Sequence, residues 1–179
     1  MTENIRNVEL IPQETERWCW AASAQMIMKY KGRDVSQVDQ ASERFAPADC
    51  GIHPTPPECL ETGWPNFQAW GFHVKCTSGQ ALTFDQLKEQ IDADMPVAFA
   101  VGIPGGYHMM VARGYDDSDR TVYVNDPMVY GDDPDDPPKP DPRWVPYDEY
   151  VGDPKRHTDY YNIKPDAASF ASGGSAEEG

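Results

Sequence analysis

The chain has 179 residues, enough for one globular domain with a single buried core. Apolar residues make up 39% and charged residues 25%, within the globular range on its polar side. With 30 acidic against 15 basic residues the formal net charge is −15, which excludes nucleic acid and anionic membrane as expected partners for want of a basic footprint, and fits plain solubility or a basic substrate.

Taken in chain order, the opening stretch MTENIRNVEL carries no basic segment followed by an apolar run, so no secretory signal is expected. No run of 18 apolar residues follows, so no spanning helix is expected either. The expected location is the cytoplasm, or outside it by a leaderless route. Residues 1–12 read as an extended arm ending at Pro12. From about Thr15 to Tyr30 the pattern is helical, with Trp20, Ala24, Ile27 and Met28 at helical spacing and Gln25 and Lys29 on another side. Glu14 and Glu16 suit its positive end, and Gly32 is a plausible stop. A second helix is expected over Ser36 to Phe45, then a Pro- and Gly-rich loop over Ala46–Glu58. Trp64–Trp70 reads as a short helix and Phe72–Cys76 as a strand. Thr83 caps a helix over Phe84–Asp92, with Leu87 and Ile91 four apart.

The character then changes. Pro96–Val101, Tyr107–Gly114 and Thr121–Val124 read as strands, the second after a Gly105-Gly106 turn. Helices first and strands later indicate α+β rather than a doubly wound parallel sheet. Residues 131–142, GDDPDDPPKPDP, hold five Asp and five Pro and read as an irregular insertion loop. Its prolines break the ligand spacing of a calcium loop. Trp144–Val151 and Tyr160–Ile163 look ordered again, and the tail from about Asp166 reads as disordered. One domain over 1–165 is therefore expected, with a helical part over about 10–95 and a β-rich part over about 96–165.

Four cysteines are present: Cys19, Cys50, Cys59 and Cys76. No pair has zinc spacing. Cys50 and Cys59 flank GIHPTPPE, where either a disulfide or two ordinary thiols would fit. Cys19 is different, because it lies near the start of a helix, where partial positive charge favours thiolate over thiol. A thiolate still needs a general base. His108, in Gly105-Gly-Tyr-His108-Met-Met-Val-Ala at the start of an apolar strand, is the best of four histidines. His53 lies between loop prolines, His73 beside Cys76, and His157 on a charged turn. A third group must orient the imidazole, and Asn125-Asp126-Pro127 ends the next strand. Asp126 is favoured there and Asn125 is the alternative, unless the three simply form a turn. Gln13, six residues before Cys19, could donate to an oxyanion together with the Cys19 N–H. Trp18 and Trp20 flank the nucleophile and could line a groove with Gly106, Tyr107 and Asn125; otherwise the tryptophans are core.

Cys19-Trp20-Ala21-Ala22-Ser23 resembles the Cys-Trp-Ala-Phe-Ser segment of papain-like cysteine peptidases. Gln13 falls where those enzymes carry their oxyanion-hole glutamine. His108 followed by Val111-Ala-Arg-Gly114-Tyr115 resembles their His-Ala-Val…Val-Gly-Tyr strand. The layout is most similar to compact bacterial members, the AvrRpt2-type effector proteases and the C39-like peptidases that act on bacteriocin leaders, in which Cys, His and Asp follow in that order. There are departures. Arg17 stands where the family has Gly, Trp18 directly precedes the cysteine, and Asp126-Pro127 replaces Asn-Ser-Trp-Gly, as in C39-like chains.

The resemblance implies an α+β papain-like fold, in which a helical subdomain with the nucleophile helix packs on an antiparallel β-sheet subdomain. It implies a cysteine peptidase with Cys19, His108, Asp126 and Gln13 as its machinery, acting as a monomer on a protein or peptide without metal or organic cofactor. Two other readings stand beside it. One is a Cys-dependent acyltransferase of transglutaminase type, and the other a non-catalytic peptide-binding relative.

Overall fold

A computed structural model describes residues 3–129, 135 and 140–167. Most of the acidic proline-rich segment expected over 131–142, and nearly all of the tail expected beyond 166, lie outside the described residues.

Helix α1 spans Cys19–Tyr30, four residues later than the pattern suggested. The delay has a local cause. Trp18 N–H donates to Thr15 O at 3.2 Å, and Gln13 Nε2 donates to Thr15 O and Glu16 O at 2.9 and 3.0 Å. Residues 13–18 are thereby held in a turn, and Cys19 becomes the first helical residue. Ala21, Ala22 and Ala24 are buried along α1 and let its backbone sit close to the sheet, while Ile27 and Met28 fill the core at about 1.5–3 kcal/mol each. Helix α2, Gln37–Arg44, begins where Ser36 accepts the Asp39 N–H. A single 3₁₀ turn covers Phe67–Trp70, shorter than the expected Trp64–Trp70, because the Asn66 side chain accepts the Ala69 N–H and sets the cap there. Helix α3, Phe84–Asp92, carries a reciprocal capping box between Thr83 and Gln86. Helix α4 is the short Tyr147–Val151.

The strands are β1 (Glu3–Ile5), β2 (Phe72–Cys76), β3 (Val97–Ile103), β4 (Gly106–Asp116), β5 (Thr121–Asn125), β6 (Arg143–Pro146) and β7 (His157–Pro165). They form one antiparallel sheet in the order β2-β7-β3-β4-β5-β6, with β1 pairing on β4. Strands from both halves of the chain thus share the sheet. Side chains alternate across it. Ala98, Ala100, Met109 and Val111 face the core under α1, whereas Val97, Phe99, Met110, Ala112, Val124 and Val145 face a second core against α3 and α4.

His157 lies at the start of β7 with its side chain fully buried, not on a charged turn. Its Nδ1 meets Val151 O at 3.0 Å and its Nε2 meets Asp159 Oδ1 at 2.9 Å. Asp159 in turn accepts the Tyr150 hydroxyl and the Leu82 N–H. This network ties β7 to α4 and to the start of α3.

Cys50 and Cys59 form a disulfide with Cα atoms 5.6 Å apart and nine residues of separation. Both are buried, and the Cys59 carbonyl accepts the Trp18 indole N–H at 2.7 Å. Closing so short a loop restricts the unfolded chain by about 2–3 kcal/mol. The Cys50→Ala/Cys59→Ala variant should lose about that much in urea unfolding. An unchanged midpoint would mean that the loop is held by its other contacts alone.

Candidate active site

The site starts from the turn that delays α1. The N–H groups of a first helical turn have no intrahelical acceptor, and Trp18, the N-cap, supplies no capping side chain to them. Cys19 stands among them, nearly buried at 8% exposure. Its Sγ accepts the Met109 N–H at 3.5 Å, which brings the helix start against β4 one residue beyond His108.

His108 is buried, and its Nε2 lies 2.7 Å from Asp126 Oδ1. Facing a carboxylate, Nε2 carries hydrogen, which leaves Nδ1 for Cys19. Burial alone would lower the imidazole's proton affinity. Hydrogen bonds to Asp126 and Cys19, with the charges behind them, outweigh burial and push His108 from its ordinary 6.5 up to about 9. Asp126 is 3% exposed. Burial opposes its ionisation, yet His108, the Met128 N–H at 3.0 Å and the Arg143 guanidinium at 2.9 Å bring it down to about 2.

The open groove over Cys19 and His108 is walled by Glu16, Arg17, Thr62, Met128 and the β3–β4 turn, Ile103 to Tyr107. Gly105 at φ +84° makes that turn possible. Arg156 pins it, donating to Gly106 O and Ile103 O at 2.6 and 3.2 Å while stacking on the Tyr107 ring at 5.0 Å. Trp64 backs the same ring at 5.5 Å.

Of the residues expected at a site, Cys19, His108 and Asp126 come together, and Gly106 and Tyr107 line the groove. Asn125 faces elsewhere. It donates to Val8 O at 2.9 Å and accepts from Arg113 at 2.7 Å, so it braces the N-terminal arm. Trp18 and Trp20 line no part of the groove. Both are 2% exposed, Trp18 tied to Cys59 and Trp20 packed edge-on to Phe45, where a Cβ on Gly63 would come within 2.9 Å of the indole. Gln13 sits beside the groove with its Nε2 donating to Thr15 O and Glu16 O, while its buried Oε1 has no partner among the described residues. His53 and His73 are exposed. Cys76 is an exposed residue, yet partial desolvation of its thiol pushes it up, away from the thiolate. Arg143 and the Met128 N–H were not anticipated, since Arg143 follows the acidic segment with no spacing that marks it. No His, Cys, Asp and Glu cluster among the described residues is arranged to hold a metal ion.

Residues 5–139 match the model of the Peptidase_C39 like family. No curated protein matches the chain. Among solved structures, the chain is similar to a putative C39-like peptidase from Bacillus anthracis, at a TM-score of 0.57 and 19% identity over 91% of this chain and 98% of that one. It is also similar to the peptidase domain of Streptococcus ComA, a bifunctional ABC transporter involved in a quorum-sensing pathway (TM-score 0.52, 15% identity, 89% and 99% covered). A third similar structure is xylellain, a cysteine protease from Xylella fastidiosa (TM-score 0.50, 15% identity, 92% and 86% covered).

Proposed function

The chain belongs to the C39-like peptidase family, and from that premise we propose that it hydrolyses peptide bonds through a triad of Cys19, His108 and Asp126. It is a cysteine protease of papain-like fold, and its substrate is a protein or peptide. The observation that carries the finer reading is the placement of Cys19 as the first residue of α1, in one groove with an imidazole that Asp126 holds at 2.7 Å.

Each residue has a step. The Cys19 thiolate attacks the scissile carbonyl carbon, and the carbonyl oxygen takes on the negative charge. The N–H groups of the first turn, that of Cys19 foremost, are the donors that would stabilise such an oxyanion. Gln13 contributes by bracing the 13–18 turn that makes Cys19 the first helical residue. For Gln13 to be the second oxyanion donor, one of its amide hydrogens must leave the Thr15 or Glu16 carbonyl. His108, protonated at Nδ1, gives its proton to the leaving amine as the C–N bond breaks. Water then adds to the thioester, His108 takes its proton, and the acid leaves with the Cys19 thiolate restored.

An epoxysuccinyl inhibitor at neutral pH, followed by peptide mapping, tests the nucleophile. A mixture of synthetic peptides with a labelled amine tests the reaction. Stoichiometric label on Cys19, lost in His108→Ala, with new peptide termini and no amine incorporation, is the expected result. Amine incorporation would favour acyl transfer. Labelling of Cys19 no faster than that of Cys76 would favour a binding module without catalysis.

A further inference from the structure

Arg143 opens β6, and neither the family's motifs nor the three reaction steps use it. Its Nη1 donates to Asp126 Oδ2 at 2.9 Å. The other oxygen, Oδ1, meets His108 Nε2 at 2.7 Å and the Met128 N–H at 3.0 Å. The carboxylate is therefore strung between two cations, one on each oxygen, while its own side chain is only 3% exposed. The three residues stand on one face of the sheet. His108 is two residues from Met110 on β4, Asp126 two beyond Val124 on β5, and Arg143 two before Val145 on β6. Met110 also meets the guanidinium, with Nη2 at 3.9 Å from its sulfur.

We propose that Arg143 is a positioning residue acting through Asp126, balancing the carboxylate's charge from its far oxygen so that Asp126 does not over-stabilise the imidazolium. This rests on the triad reading above. A buried carboxylate shared by two cations binds each less firmly than it would bind one alone. Among the described residues, the charged groups around His108 are Asp126 after β5, Cys19 from α1, Arg143 behind Asp126 on β6, and Glu16 and Arg17 at the groove wall. Of these, Arg143 acts through Asp126. Its side chain is 44% exposed, so solvent screens it and its effect on the imidazole is small but signed.

The test compares wild type, Arg143→Met, Arg143→Lys and Asp126→Asn. One readout is an NMR titration of the His108 ring, which needs no substrate; the other is kcat and KM on the fastest-cleaved peptide of the mixture above. In Arg143→Met the His108 titration should move up by a few tenths of a pH unit, the size of a half-exposed ion pair. The kcat should fall by up to about twofold, as an over-held proton is given up less readily, with KM little changed. Lysine should restore both. Asp126→Asn should move the titration the opposite way. A titration in Arg143→Met that stays put, or moves down because Asp126 has come loose, overturns the proposal, and so does a lysine variant no better than methionine. If Asp126→Asn leaves His108 and turnover as in wild type, it is the triad reading that fails.

Discussion

Cys19→Ala should lower kcat/KM for peptide hydrolysis by about 10⁴-fold or more, and His108→Ala should cost about as much. The factor is large because no other sulfur can substitute. Cys50 and Cys59 are joined to each other, and burial pushes the Cys76 thiol up. Cys19 by contrast has the first turn of α1, the Met109 N–H and the His108 ring to stabilise its charge. The two residues act as one unit, so Cys19→Ala/His108→Ala should be little worse than either single change. Quantifying new amino termini by mass spectrometry measures this. Cys19→Ser keeps the shape of the nearly buried side chain, and an unchanged melting temperature there separates lost chemistry from lost folding. More than a tenth of wild-type activity in Cys19→Ala would place the nucleophile elsewhere.

Asp126→Asn should lower kcat/KM by about 10²-fold or more and move the basic limb of the pH profile downward. The sign follows from the direction of each shift. His108 is raised from 6.5 to about 9, so the protonated ring, and the stability it lends the fold, is fully present below 6.5 and lost as pH rises through about 9. Asp126 is lowered from 3.8 to about 2, so its contribution is present above 3.8 and lost as pH falls through about 2. The wild-type pH profile should therefore stay active well past neutrality and fall near pH 9. An asparagine can accept the Nε2–H bond but brings no charge, so the fall should move back towards 6.5. An NMR titration of the His108 ring gives the position of the limb without a substrate. A limb still near 9 in Asp126→Asn would mean that another group raises His108.

How much of this was legible in the sequence varies with the kind of contact. The apolar strands around Phe99 and Val111 and the Thr83 cap show in local pattern, and they are found close to where the pattern put them. The start of α1 departs from the pattern because Glu14 and Glu16 look like a first helical turn. What overrides them is the Gln13 side chain reaching back to two carbonyls, a contact that composition does not announce. Asp126 and Asn125 are adjacent in sequence and chemically similar. A strand's alternation sends one to His108 and the other to Val8 and Arg113, and only the register decides which. His157 misled for the opposite reason. Lys155 and Arg156 beside it suggest a wet turn, but its partners Asp159 and Val151 lie on β7 and α4. Arg143 was invisible, since its role depends on β6 pairing with β5 at Val124.

The bond from Trp18 to the Cys59 carbonyl couples two sulfur chemistries with opposite needs. The nucleophile works only when reduced, whereas the Cys50–Cys59 link exists only when oxidised, and the residue just before the nucleophile hangs on that link. A reagent added to wake Cys19 after storage in air is thus also one that can cut the loop steadying it. Both linked sulfurs are buried, whereas Cys19 lines the open groove, which favours an adduct there as the first to be reduced. Preparation of the enzyme therefore calls for brief, mild thiol treatment followed by its removal, with a count of free thiols as the record of which sulfur was changed.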